Sequence, residues 1–259
     1  RNIKNKNRLF KVSTTYNHAL YNSCQRNKWS ITAVPMTEPK YLKIEMNSSK
    51  VNSLGEQFIS DFDACLNDVE QNYEPWLPLV LTSASKSTFS AGLDLPLVHS
   101  LLSRNDTASL TSYLQRACAI FDRLYTLPRL TVAAIQGHAI AGGAILSLCC
   151  DVRAAQVPSN INYTWSIKEV AIGMSLPYNV YHICNATLPQ HTSTEAIVNG
   201  RVYSSNELFT HGIAQYHHAV NTSDGQKQQD DDAAHKQRTA EFLKFIEERV
   251  INSRDHEKT

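Results

Sequence analysis

Long apolar runs, cysteine pairs and metal-ligand patterns are all missing from this 259-residue sequence. No segment approaches the roughly 20 consecutive apolar residues that a membrane-spanning helix requires, so no membrane span is predicted. The six cysteines form no C-x-x-C pair and have no metal-ligand spacing with the ten histidines. This absence predicts no metal site and no disulfide framework, and it fits a reducing compartment.

Acidic residues are absent from the first 37 positions, which contain seven Lys and Arg. The other 222 residues carry 18 basic and 24 acidic side chains, a net charge of −6. Because a protein that follows a phosphate backbone needs a basic excess, we predict no nucleic-acid partner. The acid-free basic leader is typical of a mitochondrial transit segment, and a disordered tail without a targeting role is the alternative. We therefore expect the mitochondrial matrix, with peroxisome and cytoplasm as the other compartments.

Apolar residues recur with strand-like and helix-like periods between residues 41 and 155. The pattern predicts strands at Tyr41–Asn47, Leu77–Thr82, Leu130–Ile135 and Asp151–Ala155, and helices at Leu54–Asn72, Thr107–Leu127 and Gly142–Cys150. Strands that alternate with helices predict an α/β domain with a largely parallel sheet. We divide the chain into a leader (1–37), a core (38–220) and a linker with a C-terminal helix (221–259), the helix over Thr239–Val250.

Glycine is scarce, and five of the nine glycines lie in three short segments. These segments are 89-FSAGLDL-95, 137-GHAIAGGAILSLCCD-151 and 168-KEVAIG-173. The first two follow predicted buried strands, where ligands bind in open α/β sheets. Gly142 and Gly143 at the start of a helix would direct unpaired N–H groups at an anion or a polarised carbonyl. Tight turns without a ligand are the alternative.

The three segments, in this order and spacing, resemble the crotonase (enoyl-CoA hydratase/isomerase) superfamily over about Tyr41 to His217. The resemblance implies a β-β-α spiral core with a small C-terminal helical region, a homotrimer and an acyl-CoA thioester substrate. No separate cofactor is implied, because coenzyme A is part of the substrate. Only 39 residues follow Val220, fewer than the helical tail of the family, so no acyl-chain length is predicted.

The resemblance also assigns the substrate site. Members of the family stabilise a thioester enolate with two backbone N–H groups, which correspond to those of Leu93 and Gly142 here. The substrate-binding residues it implies are Ala91, Gly92, Leu93, Asp94, Leu95, Gly142 and Lys168. Asp94 is more typical of a helix N-cap than of a catalytic acid.

The expected chemistry depends on two positions where the hydratases of the family have glutamates. Ile145 occupies the first, and Glu169 occupies the second. One carboxylate suffices to move a proton between two carbons, whereas hydration also requires a positioned water. The pattern resembles the Δ3,Δ2-enoyl-CoA isomerases of fatty acid β-oxidation, with Glu169 as the catalytic base.

Three alternatives to this function stay open. A dienoyl-CoA isomerase would have a further acid eight residues after Glu169, where this chain has Pro177. An enoyl-CoA hydratase would need a replacement for the missing glutamate. A non-catalytic binding protein of the same fold could also have lost one glutamate. An isolated glutamate, without the neighbouring segments, would most simply be a solvated surface residue.

Overall fold

A computed structural model of the protein describes residues 30–33, 41–220 and 232–253 of the 259. Most of the predicted leader and the segment 221–231 of the predicted linker lie outside the described residues. Within the leader, Ser30–Ala33 forms a strand that pairs antiparallel with Leu42–Met46. The sequence pattern had not predicted this strand.

A six-stranded sheet forms one layer of the core. Its strands, in spatial order, are β1 (Ser30–Ala33), β2 (Leu42–Met46), β4 (Leu79–Ser83), β7 (Thr131–Ile135), β9 (Val152–Pro158) and β12 (Tyr216–Val220). All neighbouring pairs except β1 and β2 are parallel. The α/β class and the largely parallel sheet are therefore confirmed.

The shorter strands form two smaller sheets. One has the order β11 (Tyr203–Ser204), β10 (Thr164–Ser166), β8 (His138–Ile140) and β5 (Thr88–Ser90). The other pairs β3 (Ser53–Leu54) with β6 (Gly92–Leu93) in parallel. The pairing of Ser53 and Leu54 explains why the predicted helix at Leu54–Asn72 begins two residues later, at Glu56.

Eight α-helices lie between and after the strands of the described residues. They are α1 (Glu56–Asn72), α2 (Leu95–Ser103), α3 (Thr107–Tyr125), α4 (Gly142–Leu148), α5 (Tyr178–Thr187), α6 (Gln190–Val198), α7 (Glu207–Thr210) and α8 (Asp232–Ile246). Successive stretches pass from the large sheet to a small sheet and then into a helix, as β7, β8 and α4 do. This repeat confirms the β-β-α spiral core.

The two faces of the large sheet are covered by different parts of the chain. Leu79, Leu81 and Ile135 pack on one face with apolar residues of α1 and α3. On the other face, Val80 and Val132 pack against Phe242 and Ile246 of α8 and against residues of the π-helical turn Glu247–Ile251 that follows it. The C-terminal helical region is confirmed, although its helix begins at Asp232 rather than at Thr239.

Candidate active site

The three glycine-containing segments extend beyond the carboxyl ends of three neighbouring parallel strands of the four-stranded sheet. Ser90 of β5 is in register with Ala139 of β8, and Ile140 of β8 is in register with Ser166 of β10. The backbone N–H of Ala141 donates to the Ser166 carbonyl oxygen at 2.8 Å, just beyond the paired residues. The carboxyl ends of these strands therefore bring the three segments to one edge of the sheet, the usual ligand-binding edge of parallel sheets.

Close backbone packing joins the first segment to the second. Gly92 has φ +81°, and a Cβ atom at this position would lie 2.6 Å from Gly142 N and 2.8 Å from Ile140 O. A Cβ atom at Gly142 would in turn lie 3.5 Å from Leu93 N. The amide groups of Leu93 and Gly142 thus lie close together, and only glycine fits at position 92.

The start of helix α4 has an unusual backbone geometry. Ala141 precedes the helix with φ +51° and ψ −125°, a conformation that non-glycine residues rarely adopt. Gly142 is the first residue of the helix, and the first N–H groups of a helix have no acceptor within it. A Cβ atom at Gly143 would lie 2.1 Å from Ser90 O, so the helix packs directly on strand β5.

Glu169 lies immediately before the 3₁₀ turn Val170–Ile172 and is buried, with 6% of its surface exposed. Its carbonyl oxygen accepts from the N–H groups of Ile172 and Met174, and Gly173 ends the turn with φ +74°. This local structure holds the backbone of the residue in place. A solvated surface glutamate does not fit these observations.

The Glu169 carboxyl group lies in an environment that disfavours its charged form. Its Oε2 atom is buried and makes no hydrogen bond to any described residue. Burial raises the pKa of Glu169, and hydrogen bonds from the backbone at Lys168 and Glu169 only partly oppose this rise. Burial, with a contribution from Glu169, also raises the pKa of Cys184 to about 12. A carboxylate with a raised pKa and an unpaired oxygen is suited to accept a proton.

The other residues assigned from the resemblance differ in exposure and in hydrogen-bond partners. Asp94 is the N-cap of α2 and accepts from Leu97 N at 3.2 Å, which confirms its structural interpretation. Leu95, the first residue of that helix, is 55% exposed. Ala91 N donates to the Val51 carbonyl. Lys168 Nζ donates to Gly200 O at 3.0 Å, so its ammonium group has a partner within the protein.

The two positions that distinguish the alternative functions have no ionisable side chain. Ile145 lies on α4 and is buried, with 3% of its surface exposed. Pro177 is the N-cap residue of α5. Among residues 41–220 and 232–253, no group of three or more His, Cys, Asp or Glu side chains could hold a metal ion. No helix within the described residues combines the length and the hydropathy of a membrane-spanning segment.

Two hydroxyl groups beside Leu93 were missed by the sequence reasoning. Ser90 Oγ accepts from Gly92 N, and Tyr113 Oη accepts from Asp94 N. Ser90 belongs to the FSAGLDL segment, so its position was a usable signal. Tyr113 lies 19 residues after its partner Asp94 and on the buried side of α3, where the apolar period marks it only as a core residue.

Comparisons with known proteins identify sequences that are similar to this chain. The family model for enoyl-CoA hydratase/isomerase matches residues 38–224. Over 170 residues the chain is 30% identical to the mitochondrial enoyl-CoA delta isomerase 1 of Mus musculus. This match covers 66% of this chain and 56% of the mouse protein. It is 31% identical over 142 residues to the fatty acid oxidation complex subunit alpha of Idiomarina loihiensis, covering 54% of this chain and 19% of that protein.

The structural comparison shows the same fold. A crystal structure of enoyl-CoA hydratase from Bacillus anthracis superposes with a TM-score of 0.65 at 20% identity, covering 85% of this chain and 76% of that one. The chain spans only a little more than half the length of the mouse isomerase that it matches.

Proposed function

Since the chain belongs to the enoyl-CoA hydratase/isomerase family, we propose that it moves the 3-double bond of an enoyl-CoA, cis or trans, to the 2-trans position. The observation that carries this proposal is the contrast between two buried positions. Glu169 supplies a buried carboxyl group with an unpaired oxygen, whereas buried Ile145 stands where a second carboxylate would be needed for hydration.

We propose that the reaction starts when Glu169 removes a proton from C2 of the acyl group. The electrons of the broken C–H bond form a C1–C2 double bond, and the negative charge moves to the thioester oxygen. The N–H groups of Leu93 and Gly142 stabilise that oxygen as a backbone oxyanion hole. The close approach of these two amides supports their pairing in this role.

The second step returns the proton. Protonated Glu169 donates it to C4, the carbonyl re-forms, and the double bond lies between C2 and C3. The raised pKa of Glu169 suits this exchange, because a weaker acid is a stronger base toward carbon. No water molecule has to be activated in either step.

The alternatives have less support from the residues. A hydratase would need another group to activate water where Ile145 stands. A dienoyl-CoA isomerase would need an acid where Pro177 caps a helix. A non-catalytic binding protein would not need a buried carboxyl group with an unpaired oxygen, which is costly to maintain.

Pathway, compartment and assembly belong to the same proposal. The similarity to a mitochondrial isomerase and to a fatty acid oxidation subunit supports a role in β-oxidation in the mitochondrial matrix. A homotrimer is expected from the family resemblance alone.

The test is the conversion of a 3-enoyl-CoA by purified wild-type protein and by Glu169→Gln. We expect kcat to fall by about 10²- to 10⁴-fold in the variant, while acyl-CoA binding, measured by calorimetry, is largely retained. Glu74→Gln changes an exposed glutamate after α1 and is the matched control, with unchanged kcat expected. If Glu169→Gln kept more than about half of the wild-type rate, Glu169 would not be the base.

A further inference from the structure

The Leu93 amide lies between two backbone amides that are each held by a buried side-chain hydroxyl. On its N-terminal side, Gly92 N donates to Ser90 Oγ at 3.2 Å. On its C-terminal side, Asp94 N donates to Tyr113 Oη at 3.0 Å. A peptide group whose neighbours on both sides are hydrogen-bonded has little freedom to rotate.

Tyr113 connects two elements that separate at this point. Its hydroxyl donates to the Leu54 carbonyl oxygen at 2.7 Å and accepts from Asp94 N. Leu54 is paired in register with Leu93, and after this pair the chains diverge into helices α1 and α2. The Tyr113 hydroxyl therefore lies where strands β3 and β6 end and fixes the distance between these two segments.

The surroundings of Tyr113 favour a fixed, neutral hydroxyl. The side chain is fully buried on α3. Burial raises the pKa of Tyr113 to about 12, so the group stays protonated and can donate and accept together. The side chain of Leu54, whose carbonyl oxygen accepts from the hydroxyl, also lies near Gly142, where a Cβ atom would be 2.8 Å from Leu54 Cδ1.

Resting on the proposed function, we infer that Tyr113 is a positioning residue that, with Ser90 on the other side, holds the Leu93 N–H toward the thioester oxygen. Tyr113 need not touch the substrate. Its effect is on the direction of a hydrogen-bond donor whose misplacement by about 1 Å can cost up to about 10²-fold in rate. The role therefore predicts a loss in kcat rather than in affinity.

The experiment compares Tyr113→Phe, which removes one oxygen atom, with Tyr203→Phe. Tyr203 is also fully buried, and its hydroxyl donates to Glu195 Oε2 at 3.1 Å, with Thr192 O at 3.5 Å, in a different part of the core. The probe is a saturated acyl-CoA labelled with ¹³C at the thioester carbonyl, whose infrared band moves to lower wavenumber when its oxygen is hydrogen-bonded. We expect Tyr113→Phe to show a smaller band shift and a kcat about 10- to 10²-fold lower, with KM changed less than about threefold. Tyr203→Phe should keep the wild-type values.

Each other outcome has a definite meaning. If Tyr113→Phe kept the band shift and the kcat of the wild type, the positioning role would be overturned and the proposed function left intact. The same would follow if Tyr203→Phe lost as much band shift and kcat as Tyr113→Phe. A wild-type protein that does not shift the band would overturn the oxyanion assignment, and with it this inference. If Tyr113→Phe does not fold, Ser90→Ala is measured instead, and an unchanged band shift in that variant overturns the inference.

Discussion

The two sides of the candidate site differ in how tightly they are packed. On the amide side, an added Cβ atom at Gly92, Gly142 or Gly143 would lie within 3 Å of another atom. On the carboxyl side, an added Cβ at Gly173 would meet nothing within 4 Å, and Val170 and Ile172 expose about half of their surfaces, at 45% and 55%. The amide side is therefore fixed before a substrate arrives, whereas the turn after Glu169 presents apolar surface to the outside.

This difference separates two physical requirements of the proposed reaction. A donor pair stabilises a developing charge only if it needs no rearrangement when the charge forms, so dense packing is useful there. A proton-transferring carboxylate needs a raised pKa and access to two carbons, which burial of the carboxyl group beside an open turn can provide. Substitutions on the two sides should accordingly have different costs.

A large loss of rate is also expected on the amide side. Gly142→Pro removes one N–H donor at the first position of a helix, where proline is otherwise tolerated. We expect kcat to fall by about 10²-fold or more. Gly142→Ala is the control, because it keeps the N–H group and its Cβ atom meets the movable end of the Leu54 side chain. An active Gly142→Pro protein with a native circular dichroism spectrum would contradict the oxyanion assignment.

A carboxyl group introduced at position 145 tests the hypothesis that hydration is weak because Ile145 stands where a second carboxylate is needed. Ile145→Glu should raise the ratio of hydratase to isomerase activity if the side chain reaches a water molecule. Because the position is buried, an unpaired charge there would cost several kcal/mol or raise the pKa of the new group. We expect a lower unfolding temperature together with the changed ratio. Ile145→Gln, of similar size but not ionisable, should lower the stability without raising the ratio.

The pH dependence of stability follows from the raised pKa of Glu169. A carboxyl whose pKa is higher in the folded than in the unfolded state stabilises the fold below its ordinary value of 4.5. That contribution is lost as the pH rises through the folded pKa. Glu169→Gln should therefore raise the melting temperature relative to the wild type at about pH 7 and change it little at about pH 4. A variant less stable than the wild type at neutral pH would show that the carboxylate has a favourable partner.

The smallest effect is expected at Gly173. Gly173→Ala meets no atom, so only the left-handed backbone at φ +74° opposes it, at a cost of about 1–2 kcal/mol of stability. We expect kcat within about twofold of the wild type. Gly92→Ala has a similar φ of +81° but meets Gly142 N at 2.6 Å, so it should lose both stability and activity. Equal behaviour of the two variants in unfolding and rate measurements would remove the distinction between the two sides.

The sequence predicted the parts of the fold that have a strong apolar period. The buried strands β2, β4 and β7 and the helices α1 and α3 were found within a few residues of their observed bounds. The two- and three-residue strands of the small sheets were missed because they are too short to show a period. Helices α5 and α6 were missed as well; of the three residues that α6 buries, Thr192 and Ser193 are polar and only Ala196 is apolar.

For the site, the order of the three segments located the residues but not their surroundings. The contact between Gly92 and Gly142 joins positions 50 residues apart in the chain, and no local pattern encodes it. The hydrogen bonds of the Tyr113 hydroxyl could not be predicted either, since a tyrosine in an apolar stripe is interpreted as a core residue. Burial of Glu169 also depends on tertiary packing, although it decides the pKa on which the mechanism depends.

The most direct test of the central claim, that one carboxylate limits this site to double-bond migration, is a comparison of three substrates with one protein preparation. A 3-enoyl-CoA, a 2-enoyl-CoA and a dienoyl-CoA of equal chain length are each incubated with wild-type protein, and the products are separated by chromatography. We expect rapid conversion of the 3-enoyl-CoA to its 2-trans isomer, with slow hydration of the 2-enoyl-CoA and slow conversion of the dienoyl-CoA. Hydration at a rate that rivals isomerisation would show that another group replaces the missing glutamate, and the isomerase proposal would be wrong.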